Sequence, residues 1–377
     1  VGDYLTAASA NEIWMQPDSP FSTAGAGAGG IFLRGLFDKY DAVPQIVKRA
    51  DYKSAADMYM EKDYTAPDRE QMNALLQSWY NNASSAAAKN RKLDVKSVMA
   101  AFEASPQFAE DAKAKGLIDK IGYDDDAKKY AEARAGTTHT VSFKKYIAAM
   151  DSAPQAGAQI ALVTASGDIV DGKTSGGFGN ATVIAGDDYA QAIRAATRDN
   201  SIKAIVLRVD SPGGSVSASD QILDAVKKAQ AAGKPVVVSM GAVAASGGYY
   251  ISTSANKIVA EPGTITGSIG VLTGKVSFGK TLGLVGVTAD EIGVGKNALM
   301  NSAISPYTED QLANLNHQAD VIYADFTRKV AAGRKLPLAQ VQAIAKGRVW
   351  SGADARSHGL VDDTGGFWTA WGDAQKL

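Results

Sequence analysis

The sequence predicts an α/β fold built on a buried, largely parallel sheet, and three observations carry that reading. Apolar, β-branched runs alternate with amphipathic helical stretches, glycine-rich loops follow the runs, and the chain repeats itself. Unbroken apolar runs of four to eight residues suit strands covered on both faces rather than strands with one wet face. Residues 159–164 read as a strand, followed by a glycine-rich loop around Gly172 to Gly186 and a helix over 188–199. A second strand over 203–209 (KAIVLRV) leads into Ser211-Pro212-Gly213-Gly214-Ser215 and a helix over 217–231. A third over 235–240 (PVVVSM) leads into Ala244-Ala245-Ser246-Gly247-Gly248 and a helix over 248–255. Parallel strands joined by right-handed crossovers bring two such loops to one crevice, at the carboxyl ends of the strands.

The repeat organises the rest. Ser9-Ala10-Asn11-Glu12-Ile13, ending at Pro17, returns 245 residues later as Ser254-Ala255-Asn256-Lys257-Ile258, ending at Pro262. The spacing then settles at 243: Arg91-Lys92-Leu93 matches Arg334-Lys335-Leu336, and Gly116-Leu117-Ile118-Asp119 matches Gly359-Leu360-Val361-Asp362. Colinear matches of this length indicate a duplication. The second copy, 158–377, is complete; the first, 1–135, starts where the second is already about ninety residues along, with residues 136–157 as a connector. The absent opening would hold core strands, so 1–135 is not expected to fold well alone. The parent protein is expected to continue upstream, or to have lost that part by cleavage.

Bulk composition narrows the function. The chain has 377 residues, 45% apolar, which is enough for one or two cores. Its 39 basic and 40 acidic residues give no concentrated positive field, so nucleic acid is not an expected partner. The absence of cysteine removes thiol nucleophiles, thiolate metal sites and disulfides. No window approaches eighteen apolar residues, so no membrane span is expected within these residues.

Ser246 stands where strand gives way to helix, between alanines and glycines that let a substrate backbone approach. Alone it would read as a helix N-cap. The neighbouring SPGGS loop changes that reading, because a glycine pair beside the same crevice can aim a backbone N–H at an oxyanion. Gly214 is the better candidate donor and Gly213 the other, with the N–H of Gly247 as the second half of the pair; one such donor contributes roughly 3–4 kcal/mol. A serine nucleophile needs a base. Histidine occurs only at 139, 317 and 358, in the connector, a long helix and a helix end, and Ala244 breaks the G-x-S-x-G pattern, so a Ser-His-Asp triad is not expected. Lysine remains. Its amine titrates near 10.4, and bringing that to about neutrality takes roughly 4 kcal/mol, obtainable by burial without a carboxylate partner. Most lysines here lie in charged helices. Lys53 (Tyr-Lys-Ser-Ala) and Lys296 (Gly-Lys-Asn-Ala) do not, and the repeat pairs them. The residues by themselves leave both open. No metal or cofactor is called for.

The stretches 207–215 (LRVDSPGGS), 244–250 (AASGGYY) and Thr266-Gly267-Ser268-Ile269-Gly270, together with YKSA, resemble the signal peptide peptidase A (protease IV) family in its long tandem form. The likeness covers the chain apart from the absent front of the first copy. It implies tandem crotonase-like (Clp protease-like) repeats and a Ser/Lys dyad: Ser246 as nucleophile, Lys53 as the base supplied from the first copy, Ser268 as the hydroxyl orienting that lysine. It also implies a homotetramer at the bacterial inner membrane, anchored through a segment absent here, with active sites outside the cytoplasm and released signal peptides as substrates. In the repeat register Val1 falls where Ser246 stands, so the first copy is expected to lack a nucleophile. The competing readings are an acyl-CoA enzyme of the same fold and a non-enzymatic membrane scaffold.

Overall fold

The structure is a computed structural model and describes residues 2–23, 25–150, 158–174 and 182–377. Val1 and most of the loop following Gly172 lie outside the described residues. The chain divides into two compact units, one of residues 1–27 with 76–157, the other of residues 28–75 with 158–377. Residues 28–75, which the duplication assigns to the first copy, thus cluster with the second.

In the larger unit the strands are β1 (Val43–Arg49), β2 (Gln159–Ser166), β3 (Asp168–Val170), β4 (Val183–Ala185), β5 (Ile202–Ser211), β6 (Val236–Ala245), β7 (Lys257–Ala260), β8 (Ile265–Gly267), β9 (Val271–Ser277), β10 (Val349–Ser351) and β11 (Asp363–Thr364). β6 is the spine of a seven-stranded sheet. On one side it pairs in parallel with β5, and β5 with β2. On the other, its first half pairs in parallel with β7 and its second half with β8. β7 continues to β11 in parallel, while β8 meets β10 in the sheet's antiparallel pairing.

Alternation of side chains along these strands fills two cores. Ile205, Leu207, Val238 and Met240 point to one face, where they meet Ile193 of α2 (Gly186–Arg198) and Ile222 and Leu223 of α3 (Val216–Ala231). Ala204, Val206, Val237 and Val259 point to the other, against Ala370 and Ala374 of α6 (Phe367–Lys376). Burial on both faces is why these strands read as continuous apolar runs rather than alternating ones.

Two elements differ from the sequence reading. β6 runs on to Ala245, past the expected end at 240, and the following helix α4 is the single turn Gly247–Tyr250. A register shift between Met240 and Ala244 lets the strand recover pairing with Ser211 and then with β8. The nucleophile candidate therefore sits directly at a strand end.

β1 pairs antiparallel with β9 over seven residues, from Val271 opposite Arg49 to Ser277 opposite Val43. Val47 and Val271 share a small core with Leu315 and Ala319 of α5 (Glu309–Arg334). Arg49 also reaches that helix, with Nε 2.6 Å from Asp320 Oδ1.

The smaller unit repeats local features of the larger one. Tyr4 Oη donates to Leu117 O at 2.8 Å, and Tyr249 Oη donates to Leu360 O at 2.8 Å. The Ile13 N–H donates to Asp119 Oδ2 and the Ile258 N–H to Asp362 Oδ2, at 2.8 and 2.7 Å. Arg91 and Arg334 each donate through Nε to a glycine carbonyl, Gly116 and Gly359, while pairing with those same aspartates. The duplication is thus preserved as a set of matching polar contacts, of which the tyrosine–carbonyl pair is buried. Since Tyr249 is fully buried, Tyr249→Phe removes the donor to Leu360 and leaves that carbonyl unpaired. A loss of about 1–3 kcal/mol is expected in urea unfolding; an unchanged midpoint would show that this contact does not bear on stability.

Candidate active site

Ser246 links β6 to α4 with φ 54° and ψ −117°, a left-handed backbone that non-glycine residues rarely adopt. Such strain costs on the order of 1–3 kcal/mol and persists only where the surroundings over-determine it. They do here. The Ser246 N–H donates to Gly267 O at 2.9 Å, and its carbonyl accepts from the Tyr250 N–H at 2.8 Å. The nucleophile-elbow conformation is therefore present although the G-x-S-x-G pattern is not, because Ala244 is buried within the sheet and needs no glycine freedom.

The SPGGS loop lies against this turn. A Cβ on Gly213 would fall 2.6 Å from Gly247 N and 2.9 Å from Ser246 Cβ, so only glycine allows the approach. The loop is held by β3: the Ile169 N–H donates to Gly213 O and the Ser215 N–H to Ile169 O, each at 2.8 Å. The Gly213 N–H donates to Ser211 Oγ at 3.1 Å, which removes Gly213 from the candidate oxyanion donors. Among the described residues, the N–H groups of Gly214 and Gly247 meet no protein acceptor and both line the cleft.

Lys53 enters from the end of β1. The strand's last paired residue, Arg49, sits opposite Val271, so the next turn of chain arrives beside Ser268. Gly347 makes room for it: a Cβ there would lie 2.7 Å from Lys53 N. Lys53 Nζ is 3.1 Å from Ser246 Oγ, 2.9 Å from Ser268 Oγ and 3.0 Å from Ser268 O. The side chain is 6% exposed, and burial alone pulls its amine down from 10.5 to about 8. At pH 7.4 about a fifth of such amines are neutral, against about one in a thousand for a free lysine.

Lys296, the alternative base, lies elsewhere: its Nζ pairs with Asp310 Oδ2 at 2.7 Å and its side chain is 73% exposed. Among the described residues no histidine lines the cleft; His358 packs on Trp350, with ring centroids 4.1 Å apart. The cleft has a volume of about 440 Å³ and walls that are mostly apolar, among them Val216, Val243, Ile265, Leu272, Ile322 and Phe326. The sequence reading did not assign these wall residues, since they come from five separate elements and share no spacing.

A model of the family described as "Peptidase family S49" matches residues 1–138 and 228–377. The "Clp protease" family model matches residues 184–263, which agrees with the parallel sheet and crossover helices seen here: the larger unit has a Clp protease-like fold. Protease 4 of Salmonella typhi is 34% identical over 393 residues, covering 100% of this chain and 62% of the relative. Protease 4 of Haemophilus influenzae is 33% identical, covering 100% and 63% respectively. The chloroplastic serine protease SPPA of Arabidopsis thaliana is 33% identical, covering 97% and 55%. The chain thus spans less than two thirds of the length of these relatives. With both ends of the sequence inside the family match and the serine, lysine and glycine loops converging on one cleft, the chain belongs to peptidase family S49.

Proposed function

We propose that this protein is a serine endopeptidase in which Ser246 is the nucleophile and Lys53 the general base. The observation that carries the reading is a buried, carboxylate-free amine 3.1 Å from a serine hydroxyl at a strained strand end. A neutral amine has two N–H donors and one lone pair. Ser268 O and Oγ take the donors, which leaves the lone pair to accept the Ser246 O–H. As Oγ attacks the scissile carbonyl carbon, its proton passes to Lys53, and the oxyanion is held by the N–H groups of Gly214 and Gly247. Collapse breaks the C–N bond, and the Lys53 ammonium gives its proton to the leaving amine. Water, deprotonated by Lys53, then cleaves the acyl-enzyme. The apolar cleft walls favour apolar peptides, and released signal peptides are the proposed substrates; one relative, from Enterococcus faecium, carries the name putative signal peptide peptidase SppA.

The proposal extends to assembly. β1 of the first copy lies on β9 of the second, and the repeat gives the second copy an equivalent segment around 286–292. That segment forms no strand here and leaves Val285, Val287, Ile292 and Val294 exposed. It is proposed to add to a neighbouring chain, a head-to-tail contact that closes into a ring, with four chains as the family resemblance implies. Among the described residues no helix is long and apolar enough to cross a membrane. Membrane attachment outside the bacterial cytoplasm, through a segment beyond this sequence, rests on the resemblance alone.

Ser246→Ala and Lys53→Ala should each lower kcat at least about a thousandfold in a peptide-hydrolysis assay, with the double variant little worse, because the two groups act as a unit. Normal turnover in Lys53→Ala would remove the proposed base. Since Lys53 must be neutral to accept a proton, kcat/KM should rise with pH through about 8 and level off above it. A flat profile between pH 6 and 9 would contradict a lysine base. Ser268→Ala should reduce kcat by about tenfold, the weight of one good hydrogen bond. For assembly, Ile292→Asp should yield smaller species than the parent chain in light scattering; a parent chain that is monomeric at all concentrations would end that part of the proposal.

A further inference from the structure

Gln71 lies in the first turns of α1 (Ala66–Arg91) and is 1% exposed, a fully buried amide outside the catalytic cleft. Its Nε2 is 3.1 Å from Tyr52 O and 2.8 Å from Ser54 Oγ, contacts on the residues either side of Lys53. A third acceptor, Asp68 Oδ1, stands 3.0 Å from the same nitrogen. Its Oε1 accepts from the Val349 N–H at 3.2 Å. Val349 opens β10 and is paired with Gly267, the residue before Ser268. The preceding carbonyl, Arg348 O, accepts the Ser268 N–H at 2.7 Å. One side chain therefore ties the segment carrying the amine to the strand that fixes the amine's hydroxyl partner.

We propose that Gln71 is a positioning residue that sets Lys53 in register with Ser246 and Ser268. A glutamine that only filled space would not engage both flanks of the base and the facing strand. Its two amide hydrogens are divided among three acceptors that all belong to the Lys53 segment or its own helix, while its oxygen takes the backbone N–H of Val349 on the facing strand. Apart from Asp68, two nearby charged groups engage one another: Glu70 accepts from Tyr52 Oη at 2.6 Å and from Arg348 Nη1 at 2.8 Å, and the Arg348 guanidinium lies over the Tyr52 and Trp350 rings. Glu70 and Arg348 thus hold the Tyr52 side chain, while Gln71 holds the Tyr52 carbonyl and Ser54. This assignment rests on the reading of Lys53 as the base.

Gln71→Leu keeps the volume and removes every one of these bonds; Gln71→Glu keeps an acceptor for Val349 but faces the Tyr52 carbonyl with oxygen. Both are measured in the full chain beside Lys53→Ala, with circular dichroism giving the folded fraction. Kcat should fall about a hundredfold, as for a displacement of about 1 Å at a reacting group, with KM within about twofold. The rising limb of the pH profile should also move to higher pH, as a loosened amine regains water. A limb that stays in place, with kcat reduced only in proportion to the folded fraction, overturns the assignment and leaves Gln71 a structural residue. If Gln71→Leu does not fold, Gln71→Glu decides on the same criterion. Wild-type turnover in Lys53→Ala would overturn both the base and its positioning residue, whereas an inactive Lys53→Ala with an unmoved limb in the Gln71 variants overturns the latter alone.

Discussion

A lysine serves as a base near neutral pH only if water is kept from its amine and no carboxylate compensates the charge. Both conditions restrict the whole neighbourhood of Lys53. Its polar contacts, Ser246 and the hydroxyl and carbonyl of Ser268, are neutral. Had Asp57 or Asp68 stood at the amine, attraction would have raised its affinity for a proton again; instead Asp57 takes Lys48 and Asp68 takes Gln71. Both carboxylates thus have partners other than the Lys53 amine.

The second constraint is proximity. For SPGGS to deliver one amide donor and the serine turn another, their backbones must approach more closely than any side chain allows. Gly213 against Gly247 N, and Gly248 against Ser211 O, meet that demand with contacts a Cβ would bring to 2.6 Å. The strain at Ser246 belongs to the same arrangement. Its hydroxyl leaves the sheet because the backbone turns back on itself between two hydrogen bonds, at Gly267 and at Tyr250. Glycine pairs, strained serine and buried lysine are therefore consequences of one packing problem rather than separate features.

Much of this was legible in the sequence, for identifiable reasons. The strands 203–209 and 235–240 announced themselves because both their faces are covered, by α2 and α3 on one side and α6 on the other. Ser246 and the glycine loop could be placed together because parallel topology leaves little choice about where carboxyl-end loops go. The choice between Lys53 and Lys296 was not legible locally, since both lie in small-residue stretches. What separates them is the seven-residue pairing of β1 with β9, a contact across more than two hundred residues that no local pattern encodes. Gly213 was illegible for a different reason: its N–H is taken by a hydroxyl only two residues away, a choice set by the turn's geometry rather than by residue type. Gln71 was invisible because a glutamine on a polar helix carries no mark of what its amide will reach.

The duplication gives these long-range contacts their logic. Each copy preserves its own tyrosine–carbonyl and arginine–aspartate contacts, so the local frames are held independently. The arm that follows β1 is different in kind, because it completes a site on residues that duplication placed in the other copy. The proposed nucleophile and base stand far apart in the sequence, and the pairing of β1 with β9 is what brings them to one place. In the proposed mechanism one arrangement therefore serves twice, since the pairing that sets Lys53 beside Ser246 also buries its amine.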